Sequence, residues 1–266
     1  MFATRRLTAI TSGLFVSAVL AVVASDVTAQ APNSHVLVGP GAPIGEGTGH
    51  MFVKVGDGGV PLALGVALSA DAFSGLPEEM NNTSRCFDTD GDGAMEHGEC
   101  LGDHQVNLMP PAEVAGLDLP FQWARVNWNA EGHVAPAPPV WGAPHFDFHF
   151  YMVEPAALEE MRPGRCGELM DCDDFARASI PLPAAFAPVD YIDVGAAVPA
   201  MGNHLVDSRD PELADPSLGF SRTLIYGTYD GEVIFIEPMV SEAFLLSRPD
   251  ACTPVKAPQA WATSGY

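Results

Sequence analysis

The sequence predicts a mostly β protein, an antiparallel β-barrel or sandwich with a few short helices. Its 26 glycines and 24 prolines are spread along the 266 residues, as expected where many short strands are joined by turns. About eight β-branched or aromatic runs outnumber the few short helical patterns. We therefore expect one β-rich domain over residues 30–266, with a polar insertion rich in Asp, Gly and Asn at about 78–105.

The strands follow from apolar, β-branched and aromatic runs bounded by turn residues. They are predicted at 51–55, 62–68, 121–127, 145–153, 191–194, 222–229 and 232–237. Asp230-Gly231 between the last two is a tight-hairpin signal. Short helices are predicted after Ser69, from Pro155 to residue 161, and at 241–246.

The N-terminal residues predict export. Arg5 and Arg6 precede a short apolar stretch, and residues 27–29 offer the small side chains at which a signal peptidase cuts. Residues 1–29 are therefore predicted to be a signal peptide, and the mature chain to be periplasmic or extracellular without stable membrane insertion. A formal net charge of −22 argues against nucleic acid as a partner, because its phosphates require basic patches.

Five cysteines in an exported chain predict disulfide bonds. Cys86 and Cys100 flank one short segment, and Cys166 and Cys172 flank another. Local pairing within each segment is the simplest arrangement and leaves Cys252 single, although other pairings are compatible with the sequence.

Residues 88–99 match the twelve-residue calcium loop at every liganding position, which predicts an EF-hand-like site for Ca²⁺. Calcium takes six to eight oxygen ligands, and Gly93 at the sixth position permits the sharp turn. The predicted ligands are Asp88, Asp90, Asp92, the carbonyl of Ala94, Glu96 through water, and Glu99 with both oxygens. Flanking helices and a second loop are not evident, so we predict a structural ion that braces the insertion. An acidic turn without metal is the alternative.

The strand that begins at His145 is the second chemical signal. Side chains alternate across a strand, so His145, Asp147, His149 and Tyr151 share one face. The phenylalanines between them share the other face, which we expect to be core. Two imidazoles and a carboxylate on one face can converge on a metal. The alternatives are a solvated face of an antiparallel sheet and pairing of Asp147 with a protonated histidine.

Two distant residues complete a predicted transition-metal site. His204 follows a glycine that permits close backbone approach, and Glu237 ends an apolar strand, where a carboxylate needs either a partner or exposure. The predicted ligands are therefore His145, Asp147, His149, His204 and Glu237. This donor set suits Zn²⁺, Mn²⁺, Fe²⁺ or Cu²⁺. His50 and His133 stand alone in the sequence and are predicted to be surface or structural residues.

Successive motifs along the chain resemble one known family. They are PLALGVALS at 61–69, VNWN at 126–129, PHFDFHFY at 144–151, MGNHLVD at 201–207 and YGTYDG at 226–231. In order and spacing they are similar to those of the TTHB two-ten-like family, exported bacterial proteins named after a sigma-E-controlled thermophile protein. The resemblance implies a β-rich fold and self-association as a homo-oligomer, and it supplies no established activity. The insertion at about 78–105 is not part of this pattern.

A fainter similarity is to the cupins, metal-binding β-barrels with a histidine-rich strand and a later histidine. It rests on His149 with Glu154 and on Gly202 with His204, and the paired His-x-His of that family is missing. This similarity is an analogy at the level of the fold.

The predicted function is that of a secreted or periplasmic calcium-binding β protein with a second, His-rich transition-metal site. Three alternatives stay open. One is a metal-dependent hydrolase or oxygenase of cupin-like type, in which Glu237 would act as the base. Another is a non-catalytic envelope assembly or stress-response binding protein whose histidine strand is structural. The third is a small-molecule binding barrel with Tyr151 and Tyr226 lining its cavity.

Overall fold

The structure, a computed structural model, describes residues 34–133 and 139–262. The predicted signal peptide at 1–29 lies outside the described residues. The strands are β1 His35–Val38, β2 Ala42–Ile44, β3 Gly47–Val55, β4 Pro61–Leu68, β5 Asn81–Cys86, β6 Cys100–Gly102, β7 His104–Leu108, β8 Trp123–Asn129, β9 His145–Tyr151, β10 Pro163–Cys166, β11 Tyr191–Val198, β12 Gly202–Asp207, β13 Arg222–Tyr229 and β14 Glu232–Ser241. The helices are short: α1 Pro155–Glu159, α2 Cys172–Ala178, α3 Pro211–Ala214 and α4 Glu242–Leu246. Single 3₁₀ turns lie at Asp57–Gly59, Ala70–Phe73, His97–Glu99, Ala112–Val114 and Pro216–Leu218.

The sheets are antiparallel, which confirms the mostly β prediction. The large sheet has the strand order β11-β12-β13-β14-β9-β8-β7. In the smaller sheet, β4 pairs along one edge of β3, and β1 and β2 pair along the other. Strands β5 and β6 form a separate hairpin. The described residues thus form a sandwich-like arrangement in which the large sheet runs from one open edge to the other.

The predicted core face of β9 joins the two sheets. Phe146, Phe148 and Phe150 are buried in one cluster with Met51 and Val66 of the smaller sheet. Burial of a large apolar side chain contributes roughly 1.5–3 kcal/mol, so this alternating strand provides a large share of the contact between the layers.

The boundaries of β14 correct one prediction. The strand is predicted to end at Glu237, but it continues through Pro238 to Ser241. Pro238 pairs with Leu224 of β13, whereas pairing with β9 is interrupted between Ile236 and Met239. The interruption follows from the missing N–H of proline. The Asp230-Gly231 turn is confirmed, since both residues have positive φ angles, 52° and 76°.

Two disulfides form as the local pairing predicts. Cys86 is bonded to Cys100 and Cys166 to Cys172, while Cys252 is free and exposed. Two such bonds indicate an oxidising, exported environment. Among the described residues, the helices are all too short or too polar to cross a bilayer.

Candidate functional site

Strand β9 provides the polar wall of the candidate site. All seven of its residues are buried. The alternative that its histidine face is solvated is therefore wrong. Tyr151 of that face belongs to a core cluster different from that of the phenylalanines, and it stacks on the rings of Trp123 and His149. Because burying an unpaired polar group costs roughly 2–7 kcal/mol, the remaining groups on this face need partners within the fold.

His149, His204 and Glu237 form one compact group, which we call the Glu237 cluster. Nε2 of His149 lies 3.5 Å from Oε2 of Glu237, and Nε2 of His204 lies 3.6 Å from the same oxygen. Nδ1 of His204 donates a hydrogen bond of 2.7 Å to the carbonyl of Ala196. Since that carbonyl can only accept, Nε2 of the neutral His204 ring carries the lone pair that faces the carboxyl group.

Side chains from three strands of the large sheet meet in this cluster. Two strands lie between β9 and β12, which would place them about 14 Å apart in a flat sheet. The ring centroids of His149 and His204 are nevertheless 5.9 Å apart. The ring of Phe235 packs against both imidazoles, 4.9 Å from His149 and 5.2 Å from His204. It fits because residue 227 is glycine: a Cβ on Gly227 would lie 1.9 Å from a carbon of that ring.

The position of Glu237 follows from the register of β14. Ile236 pairs with Phe150, so Glu237 falls opposite His149, where Pro238 interrupts the ladder. The exposed fraction of Glu237 is 1%. This carboxyl group is therefore in the interior of the sheet rather than at an exposed strand end.

A second group, the Asp147 cluster, consists of His133, His145 and Asp147. Nε2 of His145 lies 3.1 Å from Oδ1 of Asp147, and Nε2 of His133 lies 3.6 Å from Oδ2. Asn129 donates a 2.7 Å hydrogen bond to Oδ2. Nδ1 of His145 donates to the carbonyl of Ala143 at 2.7 Å. These two hydrogen bonds fix the orientations of the Asp147 carboxylate and the His145 ring.

Several buried polar atoms of the two clusters have no hydrogen-bond partner among the described residues. They are Nε2 of His145, Oδ1 of Asp147, both ring nitrogens of His149 and Oε2 of Glu237. Most buried polar groups in proteins are paired, so such a concentration is unusual for a structural core. A cation satisfies imidazole lone pairs and carboxylate oxygens together, and a buried water molecule also does so by donating to both.

The two clusters differ in charge. Burial raises the pKa of Glu237 well above its usual range, and the charge of Asp147 adds to this. Burial lowers the pKa values of His149 and His204. Burial would also raise the pKa of Asp147, but attraction to His145 and His133 outweighs it and holds that pKa well below its usual range. Burial therefore favours the neutral forms of the three residues of the Glu237 cluster, whereas attraction to the imidazoles favours the ionised form of Asp147.

Both clusters face one cavity of about 90 Å³. His133, Asp147, His204 and Glu237 line it, so each cluster contributes a carboxylate and an imidazole. The cavity has room for several water molecules or a small ligand, since one water occupies about 30 Å³ of liquid volume.

The hairpin β5–β6 and the residue after it form another wall of this cavity. Arg85 and Asp103 line it. The guanidinium group bonds both carboxylate oxygens, at 2.8 and 2.7 Å, and it also donates to the carbonyl of Pro199 at 3.1 Å. Asp103 in turn accepts a hydrogen bond from Asn127 of β8. The insertion is thus tied to the large sheet at the candidate site.

The predicted calcium loop connects β5 to β6 and is mostly exposed. One carboxylate oxygen from each of Asp88, Asp90 and Glu99 lies within 4.8 Å of the others, and the same holds for Asp90, Asp92 and Glu96. Strands flank the loop in place of the helices of an EF-hand, and the disulfide between its ends joins those strands.

Backbone N–H groups turn the loop carboxylates inward. Gly91 and Gly93 donate to Asp88 at 2.6 and 2.9 Å, and Ala94 donates to Asp92 at 2.8 Å. Hydrogen bonds from the side chain and backbone of Thr89 lower the pKa of Glu99 to about 2. The last carboxylate of the loop is therefore ionised and fixed in place.

The sequence predicts one five-residue transition-metal site, and the structure divides those residues between two adjacent clusters. It also adds His133, which the sequence predicts to be a lone residue. Gly132 has a φ of 69° and turns the chain, after which the N–H of His133 bonds the carbonyl of Trp141 at 2.9 Å. The nearest residue in the sequence that could point to His133 is Asn129, four residues earlier. Its side chain donates a hydrogen bond to Asp147.

No family model, curated protein or solved structure matches the chain. The resemblance to the TTHB two-ten-like family and the analogy to cupins therefore stay predictions from sequence motifs.

Proposed function

We propose that this chain is a periplasmic or extracellular metal-binding β protein in which the Glu237 cluster binds one divalent transition-metal ion. The unpaired atoms of His149 and Glu237 carry the proposal, since these two residues are 1% exposed and their Nε2 and Oε2 atoms are 3.5 Å apart. A cation between them would accept the lone pair and balance the carboxylate charge. Two histidines and one carboxylate form a donor set found with Zn²⁺ and Fe²⁺, and Mn²⁺ or Cu²⁺ are further candidates.

A second ion, Ca²⁺, is proposed for the loop at 88–99. The twelve-residue spacing supports this, as does the disulfide that joins the two ends of the loop. Calcium would neutralise acidic side chains that otherwise repel one another, and it would order the hairpin that bears Arg85.

A metal-dependent hydrolase or oxygenase is the second candidate function. Three protein ligands leave coordination positions open, as in catalytic sites, and the adjacent cavity of about 90 Å³ would admit a small substrate. Glu237 is then better suited to hold the ion than to act as a base, because its Oε2 faces the Nε2 atoms of both His149 and His204.

The non-catalytic alternatives concern other surfaces. A larger cavity of about 410 Å³, whose lining includes Leu224, Phe244 and Lys256, would suit a small organic ligand. Lys256 in this lining is already paired, since its ammonium group donates to Asp207 at 2.8 Å and to Asp190 at 3.3 Å. Self-association remains a proposal based on the family resemblance. In an assembly protein the buried histidines would be structural and would bind no metal.

Metal content tests the main proposal. The mature chain is purified without chelator and without affinity histidines, and its metals are measured by elemental analysis. His149→Ala and Glu237→Gln should each remove a transition metal that the wild type retains, with calcium unchanged. The matched control is His35→Ala, an exposed imidazole on β1. Retention of the metal in both cluster variants, or its absence from the wild type after incubation with Zn²⁺, Mn²⁺, Fe²⁺ and Cu²⁺ in turn, would contradict the proposal.

The calcium site is tested by titration calorimetry. Asp88→Ala should abolish calcium binding, whereas Asp57→Ala, which removes the same charge from an exposed turn, should leave it intact. Equal affinity in the two variants would show that the loop does not ligate calcium.

A further inference from the structure

We infer that the Asp147 cluster is a second transition-metal site, formed by His133, His145 and Asp147. It goes beyond the proposed function, because it shares no ligand with the Glu237 cluster and assigns His133 a role. One donor atom from each of its three residues lies within 4.8 Å of the others. It therefore repeats the donor set of two imidazoles and one carboxylate on the same wall of the cavity.

The tautomer of His145 supports this assignment. Its Nδ1 must carry the proton that bonds the carbonyl of Ala143, because a carbonyl oxygen cannot donate. In the neutral ring, Nε2 is then an acceptor, and it lies 3.1 Å from Oδ1 of Asp147. Two electron-rich atoms repel each other at that distance unless a positive species lies between them or beside both.

A proton is the competing candidate for that species, because the attraction between Asp147 and these imidazoles in the absence of metal requires a protonated ring, but the alignment of the two atoms fits a metal better. A protonated Nε2 would donate to Oδ1, yet these two atoms lie within reach of each other without forming a hydrogen bond. His145 and Asp147 are also almost fully buried, with side-chain exposures of 0% and 6%. A metal bound by both atoms would satisfy both without requiring a linear N–H···O arrangement.

The surroundings of the cluster are those of a metal site rather than of a simple ion pair. Metal-binding histidines commonly donate their second ring N–H to a backbone carbonyl, and metal-binding carboxylates are commonly held by a further hydrogen bond. Ala143 provides the first of these for His145, and Asn129 provides the second for Asp147. The remaining ligand, His133, is 38% exposed in its side chain, which gives an ion a route to the buried pair.

The consequence is a cavity that faces two metal ions. Asp147 and His149 are two positions apart on β9, or about 6.6 Å along the strand. Coordination positions left open by each three-residue set would face the same space of about 90 Å³. A small oxygen-donor ligand in that space would have a metal ion on two sides, an arrangement that polarises bound water and oxyanions.

Co²⁺ is the probe for the test, since it reports both stoichiometry and coordination through its visible absorption. The purified mature chain is stripped with chelator, titrated with Co²⁺ and then analysed for bound cobalt. The wild type should bind two ions per chain in addition to any ion in the calcium loop. His133→Ala and Asp147→Asn should each bind one, Glu237→Gln should bind one, and Asp147→Asn combined with Glu237→Gln should bind none.

Calcium is included in the titration to occupy the loop, and far-ultraviolet circular dichroism verifies that each variant is folded. His133→Ala is the most informative variant because its side chain is partly exposed and its loss leaves the core intact. A wild-type stoichiometry in His133→Ala and Asp147→Asn would overturn the inference. Failure of the proposed function would differ: Glu237→Gln would then retain all the cobalt that the wild type binds.

Discussion

The calcium loop and the histidine cavity are two candidate metal sites of opposite construction. The loop takes its ligands from twelve consecutive residues, is mostly exposed and is closed by one disulfide. The cavity takes its ligands from three strands and a loop, between His133 and Glu237, and buries four of the six. A contiguous site depends on local turn chemistry, whereas an assembled site depends on how the whole sheet curves. Changes to the global fold should therefore affect the second site far more than the first.

The largest difference is expected when one methyl group is added to a glycine in each region. Gly227→Ala would place a Cβ 1.9 Å from the ring of Phe235, and such overpacking destabilises by roughly 1–3 kcal/mol. Displacing the ring that packs against both His149 and His204 should also weaken transition-metal binding about tenfold to a hundredfold. Urea unfolding of the stripped protein and metal titration measure the two effects.

The matched control is Gly98→Ala in the calcium loop, where an added Cβ meets no atom within 4 Å among the described residues. Its stability should change by less than about 0.5 kcal/mol. Equal changes in stability and metal affinity for the two substitutions would show that the close packing of Phe235 on Gly227 does not hold the Glu237 cluster together.

The next effect depends on pH and concerns the buried carboxyl group. Because the pKa of Glu237 is raised, the folded state holds its proton more tightly than the unfolded state. The stability of the stripped wild type should therefore decline as pH rises from about 4.5 toward the raised value, by at most about 1.4 kcal/mol per pH unit from this group. Glu237→Gln should remove that decline and make the stripped protein more stable at pH 8.

Urea unfolding between pH 5 and 8 in the presence of chelator measures this difference. The depressed pKa values of His149 and His204 act in the opposite direction, but they are common to both proteins and largely cancel. Glu232→Gln, at an exposed position of the same strand, is the control and should follow the wild type. A parallel pH profile for Glu237→Gln would contradict the raised pKa.

The smallest expected effect concerns the disulfide that closes the calcium loop. With Cys86 and Cys100 both changed to Ser, the loop must be ordered by calcium alone, so calcium affinity should fall about tenfold, or about 1.4 kcal/mol. Cys252→Ser, which removes a free exposed thiol, should leave the affinity unchanged. Titration calorimetry measures both, and an unchanged affinity in the double variant would show that the loop is ordered without its disulfide.

The same contrast explains what could be predicted from the sequence. Alternation along β9 places His145, Asp147 and His149 on one face, because the period of a strand is a local property. The convergence of His204 on that face depends on side-chain packing across two intervening strands. The space at Gly227 that admits the ring of Phe235 leaves no pattern within a single strand.

One wrong prediction and one residue that no pattern singles out have the same origin. The β-branched and aromatic run that predicts β14 ends at Glu237, but the strand continues past Pro238, which interrupts only the ladder toward β9. His133 lies in a loop, where no periodicity exists to connect it with Asp147. The local pairing of the cysteines and the Asp230-Gly231 hairpin, by contrast, depend only on neighbouring residues and are confirmed.

Arg85 links the two regions. It directly precedes Cys86 at the entrance to the calcium loop, and its guanidinium group holds Asp103 and the carbonyl of Pro199 beside the cavity. Coupling through this residue would be reciprocal. If calcium binding changes the affinity of the cavity for a metal by some factor, metal binding changes the affinity of the loop for calcium by the same factor. Under such coupling, the occupancy of each site would depend on the concentrations of both ions.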